Sequence, residues 1–154
     1  MFRPIRPDED AVVSRELLSM SLGYPSPEQV ERARARYDPE AGWHLLGYAP
    51  AGPLLGSIGI QITGPGEGTV RHIAVLPAYR SQGIGRRLLQ HAVEADRLHR
   101  LVAETDQDAV GFYRRCGFII TSLGERYPGV ERFKCELGRA PHESPDGGDS
   151  LART

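Results

Sequence analysis

The chain has 154 residues, 40% hydrophobic and 25% charged, with a formal net charge of −1 from 19 basic and 20 acidic side chains. This length suits one domain with an adequate apolar core, and the even charge argues against a chain built to grip nucleic-acid phosphates. Cys116 and Cys135 are too few and too isolated for a zinc pattern or a disulfide framework, so no metal is expected and a reducing cytoplasm fits.

Residues Met1 to Pro7 lack the apolar segment of a signal peptide, and no apolar run approaches a membrane-spanning length. Phe2 to Ile5 reads as a short first strand. Pro7-Asp8-Glu9-Asp10 reads as a helix start, with acidic groups at the positive end of the dipole. Val12, Val13, Leu17, Leu18 and Met20 follow at helical spacing, and Gly23 and Pro25 end that helix. Ser26 is the N-cap of a second helix with Pro27 in its first position; it runs to about Tyr37. Trp43 to Ala49, Leu54 to Thr63 and Thr69 to Leu76 read as three strands of an antiparallel meander. Ile84, Leu88, Leu89, Ala92 and Val93 mark the apolar face of a helix from Gly83 to Leu98. Leu101 to Thr105 is a strand and Asp106 to Arg115 a helix, ended by Gly117. Phe118 to Ser122 and Glu131 to Leu137 are the last strands. The order β-α-α-β-β-β-α-β-α-β-β implies an α/β (α+β) fold with a mixed, mainly antiparallel sheet. The domain is expected over residues 1–138, and the Pro-, Gly-, Asp- and Ser-rich residues 139–154 read as a disordered tail.

The most informative stretch runs from Val75 through Pro77, Arg80, Ser81, Gln82, Gly83, Ile84, Gly85 and Arg86 to Leu89. A β-branched strand ends, a loop follows, and two glycines open an amphipathic helix. Free N–H groups of the first helical turn, together with the helix dipole, form an anion site. Gly83 and Gly85 allow close backbone approach, and Arg80, Arg86 and Arg87 add positive charge. A diphosphate suits this geometry; a plain glycine-rich turn is the alternative. The stretch is not a Walker loop, and Leu88 stands where a dinucleotide fingerprint wants its third small residue.

Arg80 to Gly85 matches the Arg/Gln-x-x-Gly-x-Gly/Ala motif of the GNAT superfamily of acyl-CoA-dependent N-acetyltransferases, which the chain resembles. A second block agrees at Tyr113 and Gly117-Phe118, with Asp106 where Asn is usual. The resemblance implies a central sheet of about seven strands with about four helices on its two faces. It implies a reaction in which acetyl-CoA acylates a primary amine directly. The strands ending at Leu76 and Thr105 would splay apart. Backbone groups of Ile73, Ala74 and Val75 would hydrogen-bond the pantetheine arm, and amides from Ser81 to Arg86 would hold the diphosphate. The Val75 N–H would be the oxyanion donor and Tyr113 the acid for the departing thiolate. Relatives often pair as dimers, so a homodimer is one possibility.

The base stays open. Many relatives carry a Glu on the third meander strand, where this chain has Thr69 and Arg71. Glu104 is the first candidate and His72 the second, with an ordinary pKa near 6.5 that suits the task. The alternatives are a Glu104–arginine pair and a core histidine; for Tyr113 the alternative is a packed core aromatic. Thr105 and Asp106 also read as helix caps, with Thr105-x-x-Asp108 resembling a capping box. Cys116 and Cys135 read as packing, and Gly124 to Phe133 as a loop that could wall the acceptor site. A small-molecule or protein amine is the expected acceptor, with neither nucleic acid nor membrane as partner. The competing readings are a non-catalytic acyl-CoA-binding module and a nucleotide-binding regulatory domain.

Overall fold

A computed structural model of the chain describes residues 1–5, 10–23 and 25–138. Residues 7–9 of the expected first helix start, and the expected tail at 139–154, lie outside the described residues. The elements in order are β1 (Phe2–Pro4), α1 (Ala11–Ser21), α2 (Pro27–Ala35), β2 (Trp43–Tyr48), β3 (Gly56–Gly64), β4 (Glu67–Val75), α3 (Ile84–Ala95), β5 (Arg100–Asp106), α4 (Val110–Arg115), β6 (Ile119–Tyr127) and β7 (Val130–Gly138). The seven strands form one sheet in the order β1-β2-β3-β4-β5-β7-β6. Every pairing is antiparallel except β4 with β5. Among the described residues no helix is long and apolar enough to cross a membrane.

Two apolar clusters sandwich the sheet. Leu88 and Leu89 of α3 and Val110 and Tyr113 of α4 pack with Ile58, Ile60, Leu101 and Ala103. Leu17 and Leu18 of α1 and Val30 of α2 pack with Leu45 and Leu54. Consecutive strand residues fall in opposite clusters, Leu46 and Ile73 in the first, Leu45 and Ala74 in the second. This is the two-residue alternation of a sheet covered on both faces.

Several boundaries differ from the sequence expectation. Helix α1 starts at Ala11, and Asp10 at its N-cap makes no side-chain cap bond. Its carboxylate is instead held by Arg3 of β1 at 2.7 and 2.9 Å. Val12, expected on the apolar face, is exposed. Helix α2 has the expected cap: the Gln29 N–H donates to Ser26 Oγ (3.2 Å), and the Ser26 N–H donates to Gln29 Oε1 (2.9 Å). It stops at Ala35, and Tyr37 turns into the core. Helix α4 begins only at Val110, because β5 pairs with β7 as far as Asp106 opposite Arg132. Thr105 is therefore a strand residue, and no capping box forms. Asp106 Oδ1 accepts from the N–H groups of Asp108 (3.0 Å) and Ala109 (3.2 Å), a turn that leads into the helix. The expected loop from Gly124 to Phe133 is the tip of a long β6–β7 hairpin, turned at Pro128-Gly129.

A β-bulge sets up the functional end of β4. His72 opposes Gly59 and Val70 opposes Ile60, leaving Arg71 as the extra residue. The bulge reverses the alternation. Val70 belongs to the α3-side core, whereas His72 hydrogen-bonds through Nδ1 to the Tyr37 hydroxyl on the other side. Tyr37 reaches that position only because residue 59 has no side chain. A Cβ there would lie 1.9 Å from the Tyr37 hydroxyl oxygen. Gly59→Ala is expected to destabilise the fold by about 1–3 kcal/mol, the usual cost of overpacking a filled site. Urea unfolding measures it, and Tyr37→Leu, which opens that space, should recover part of the loss.

Candidate active site

Strands β4 and β5 pair at only three positions, Glu67 with Arg100, Gly68 with Leu101 and Thr69 with Val102. Beyond them each strand stays bonded to its outer neighbour. β4 follows β3 to Val75 and β5 follows β7 to Asp106. The two strands part, and a cleft of about 710 Å³ opens between them. Its walls include Arg71 to Val75, Arg80, Ser81, Gly83 to Arg86, Glu104, Thr105, Phe112, Tyr113 and Cys116. Most of the site residues read from the sequence thus meet in one place. Gln82 is exposed beside the cleft, and Asp106 forms the turn that leads into α4.

The inner edge of β4 faces this opening. The Leu76 N–H donates to the Leu55 carbonyl at 2.9 Å, so Ala74, two residues back, also turns its backbone groups towards β3. Ile73 and Val75 therefore point theirs into the cleft. Arg80 Nε donates to the Val75 carbonyl at 3.0 Å, which folds the following loop back against the strand.

That loop ends in a dense set of free donors. Among the described residues, none of the six backbone N–H groups from Ser81 to Arg86 has a backbone acceptor; the first to find one is Arg87, on Gly83. The conformation is demanding. Ser81 has φ 65° and Gly83, the N-cap of α3, has φ 80°. The two glycines have different tasks. A Cβ on Gly83 would meet nothing within 4 Å, so its left-handed φ is what calls for glycine. At Gly85 a Cβ would lie 2.9 Å from the Phe112 ring, so this glycine lets α3 close against α4.

Among the described residues no carboxylate pairs with the charges near the loop. Arg86 donates to the Arg115 carbonyl at the end of α4, and Arg87 donates to the Tyr48 hydroxyl at 3.3 Å. With Arg80 on a carbonyl as well, all three guanidiniums rest on neutral acceptors. The α3 N-terminus thus carries the partial positive charge of the helix and unpaired cations together.

Tyr113 is buried on α4 between Phe112 and Phe118, in edge-to-face contact with each. Burial raises the pKa of its hydroxyl, with Cys135 and Cys116 adding to the effect, so it stays protonated at any physiological pH. Among the described residues the hydroxyl has no hydrogen-bond partner, and Tyr113 lines the cleft. The Cys116 thiol is also raised by burial, an effect that Arg86 and Arg115 only oppose, which suits packing rather than a thiolate nucleophile. Glu104 is half-exposed, with Oε1 3.4 Å from Arg132 Nε. His72 is buried, and its pKa is lowered to about 4, first by desolvation and then by the charges of Arg36 and Arg71. Sequence reading missed Tyr37, whose bond to His72 joins residues 35 apart, and gave no role to Trp43. A glycine within a β-rich run, at Gly59, was the one available signal of a close approach.

The family model of the acetyltransferase (GNAT) domain matches residues 43–120. Over 90 residues the chain is 40% identical to the N-alpha-acetyltransferase RimI of Mycobacterium tuberculosis, which covers 54% of this chain and 57% of that protein. The curated relatives it matches are spanned over 57% of their length or less. The fold is similar to that of the ribosomal-protein-S18-alanine N-acetyltransferase of Escherichia coli, with TM-score 0.72 and 20% identity over 93% of this chain and 97% of that one. It is similar also to a GNAT family acetyltransferase from Elizabethkingia anophelis with acetyl-CoA bound, with TM-score 0.66 and 17% identity over 90% and 97%. At these identities the two structures speak to the fold.

The environment of His72 fixes a pH dependence. Its folded pKa of about 4 lies below the unfolded value near 6.5, so the unfolded chain binds the proton first. The contribution of His72 to stability is therefore complete above about pH 6.5 and is lost as pH falls towards 4. Urea unfolding across this range should show that loss in the parent protein and its absence in His72→Gln.

Proposed function

The chain belongs to the GNAT acetyltransferase family, and from that premise we propose that it is an enzyme that transfers acetyl from acetyl-CoA to a primary amine. The observation that carries this reading is the run of six N–H groups, Ser81 to Arg86, without an acceptor among the described residues, beside the cleft between β4 and β5. Backbone donors at a helix N-terminus suit a diphosphate, and the cleft behind them can take an extended arm. The inner edge of β4 then offers Ile73 and Val75 as strand-like partners for the pantetheine amides.

The chemistry follows from the groups lining the cleft. The amine nitrogen attacks the thioester carbon, and negative charge collects on the carbonyl oxygen. The Val75 N–H, on the edge of β4 that faces the cleft, serves as donor to that oxyanion. The carbon–sulfur bond then breaks, and the thiolate takes a proton from Tyr113, whose hydroxyl burial keeps protonated. The new ammonium centre loses one proton. Glu104, in the wall of the same cleft, accepts it directly or through water. His72 is too weakly basic to hold it at neutral pH.

The acceptor is a primary amine of a small molecule or of a protein. Two of the similar proteins are named N-alpha-acetyltransferase RimI and ribosomal-protein-S18-alanine N-acetyltransferase. The alternative is a module that binds acyl-CoA without turnover.

Two measurements test the reading. Millimolar acetyl-CoA should raise the melting temperature and move the amide NMR signals of residues 81–86; if both stay put, the assignment fails. With an amine panel, the parent protein should release CoA steadily. Tyr113→Phe should lower kcat by about 10²-fold, the lower end of general-acid contributions, with little change in acetyl-CoA affinity. Binding without CoA release from any amine would select the non-catalytic module.

A further inference from the structure

Arg71, which lines the cleft, belongs to a second, separate concentration of positive charge. The Arg71 side chain, displaced by the β-bulge, lies over Trp43 with its guanidinium carbon 5.7 Å from the ring centroid. Arg36, at the end of α2, sits 5.9 Å from the same ring. Arg71 is fixed in place by a neutral group, Gln61 Oε1, which accepts from Nε at 2.9 Å and from Nη2 at 2.6 Å. Among the described residues neither guanidinium is paired with a carboxylate. Their field reaches His72, where both charges disfavour protonation. Arg132, by contrast, has Glu104 beside it, and Arg15 has Glu31. Two cations held over one aromatic ring, oriented but not neutralised, form a receptor for an anion.

We propose that the acceptor is an amine that also bears a carboxylate, with the carboxylate bound by Arg71 and Arg36 beside Trp43. The proposal rests on the acetyl-transfer reading for the amine half of the molecule. Arg71 lines the same cleft as Tyr113 and Glu104, so a carboxylate held there keeps the amine of the same molecule inside the cleft. The Arg71 Nη1 group has no partner among the described residues and remains available to a planar carboxylate, the geometry a guanidinium fork matches. The carboxylate can come from a free amino acid or from an acidic side chain near the amino end of a peptide.

Trp43 is the only tryptophan of the chain, so its fluorescence reports on this site directly. The full chain, saturated with CoA, is titrated with two matched pairs: alanine against alaninamide, and the tripeptide Ala-Glu-Ala against Ala-Gln-Ala, both amidated at the C-terminus. The carboxylate member of at least one pair should change the emission saturably at a concentration at least tenfold lower than its amide. Which pair shows it identifies the source of the carboxylate. The preference should weaken as salt rises, fall towards unity in Arg71→Gln and in Arg36→Gln, and persist in part in Arg71→Lys. Arg36 is exposed, so its variant guards against misfolding of the Arg71 variant, and melting curves verify both. Equal titration by carboxylate and amide members of both pairs overturns the proposal, as does a preference that survives in both glutamine variants. Acyl transfer is followed separately by CoA release from acetyl-CoA. A charge preference without CoA release refutes the enzymatic reading and leaves the anion site standing. CoA release without a preference does the opposite.

Discussion

The parting of β4 from β5 is the constraint on which the rest depends. A parallel pair at the centre of a sheet would ordinarily continue for the length of both strands. Here it stops after Thr69 and Val102 because each strand has a stronger commitment elsewhere. β5 is paired along its whole length with β7, and β4 with β3. The bulge at Arg71 then bends β4 away at the point where the pairing ends. The backbone groups of Ile73 and the N–H of Val75 are left facing a cleft rather than a neighbouring strand. In a compact domain such groups carry a penalty unless something bonds to them. A ligand with amides of its own, laid along β4, satisfies them in the way a missing strand would.

The second theme is charge placed without compensation. The whole chain has a net charge of −1, yet three guanidiniums around the first turn of α3 rest on carbonyl or hydroxyl oxygens. Acidic side chains are numerous elsewhere and pair with other arginines, as in Arg3–Asp10 and Arg100–Glu136. The imbalance is local and lies where backbone N–H groups are also free. Ser81 and Gly83 hold positive φ angles in the same loop. Of the two, Ser81 bears the greater cost, since its side chain disfavours that region. Strain, unpaired donors and unpaired cations coincide over a handful of residues, as expected of a site shaped for an anion rather than for stability.

How much of this was legible in the sequence depended on the range of the interaction involved. The amphipathic face of α3, the Ser26 cap of α2 and the loop from Arg80 to Gly85 are local patterns, and the structure has them where the spacing puts them. Boundaries went astray where tertiary contacts overrode local preference. Asp10 reads as a cap, but Arg3 claims its carboxylate. Asp106 reads as the start of a helix, but pairing with β7 keeps it in a strand. The insertion of β7 between β5 and β6 leaves no trace in the order of elements. Tyr37 and His72 meet only because Gly59 clears the space, a relation among three elements that no window along the chain contains. Arg71 was visible only as the wrong residue at a familiar position. Its orientation comes from a one-residue bulge, and a bulge is invisible without knowledge of the partner strand.

The same two features bear on the missing strong base. His72 resists protonation because it is desolvated and because Arg36 and Arg71 stand near it. An ammonium group brought to that place meets both conditions and is disfavoured for the same reasons. Desolvation, the larger of the two causes at His72, favours the neutral form of an amine held in the cleft, which is the form that attacks a thioester. A site built this way asks less of its base than one that binds an ammonium ion tightly and must then strip its proton.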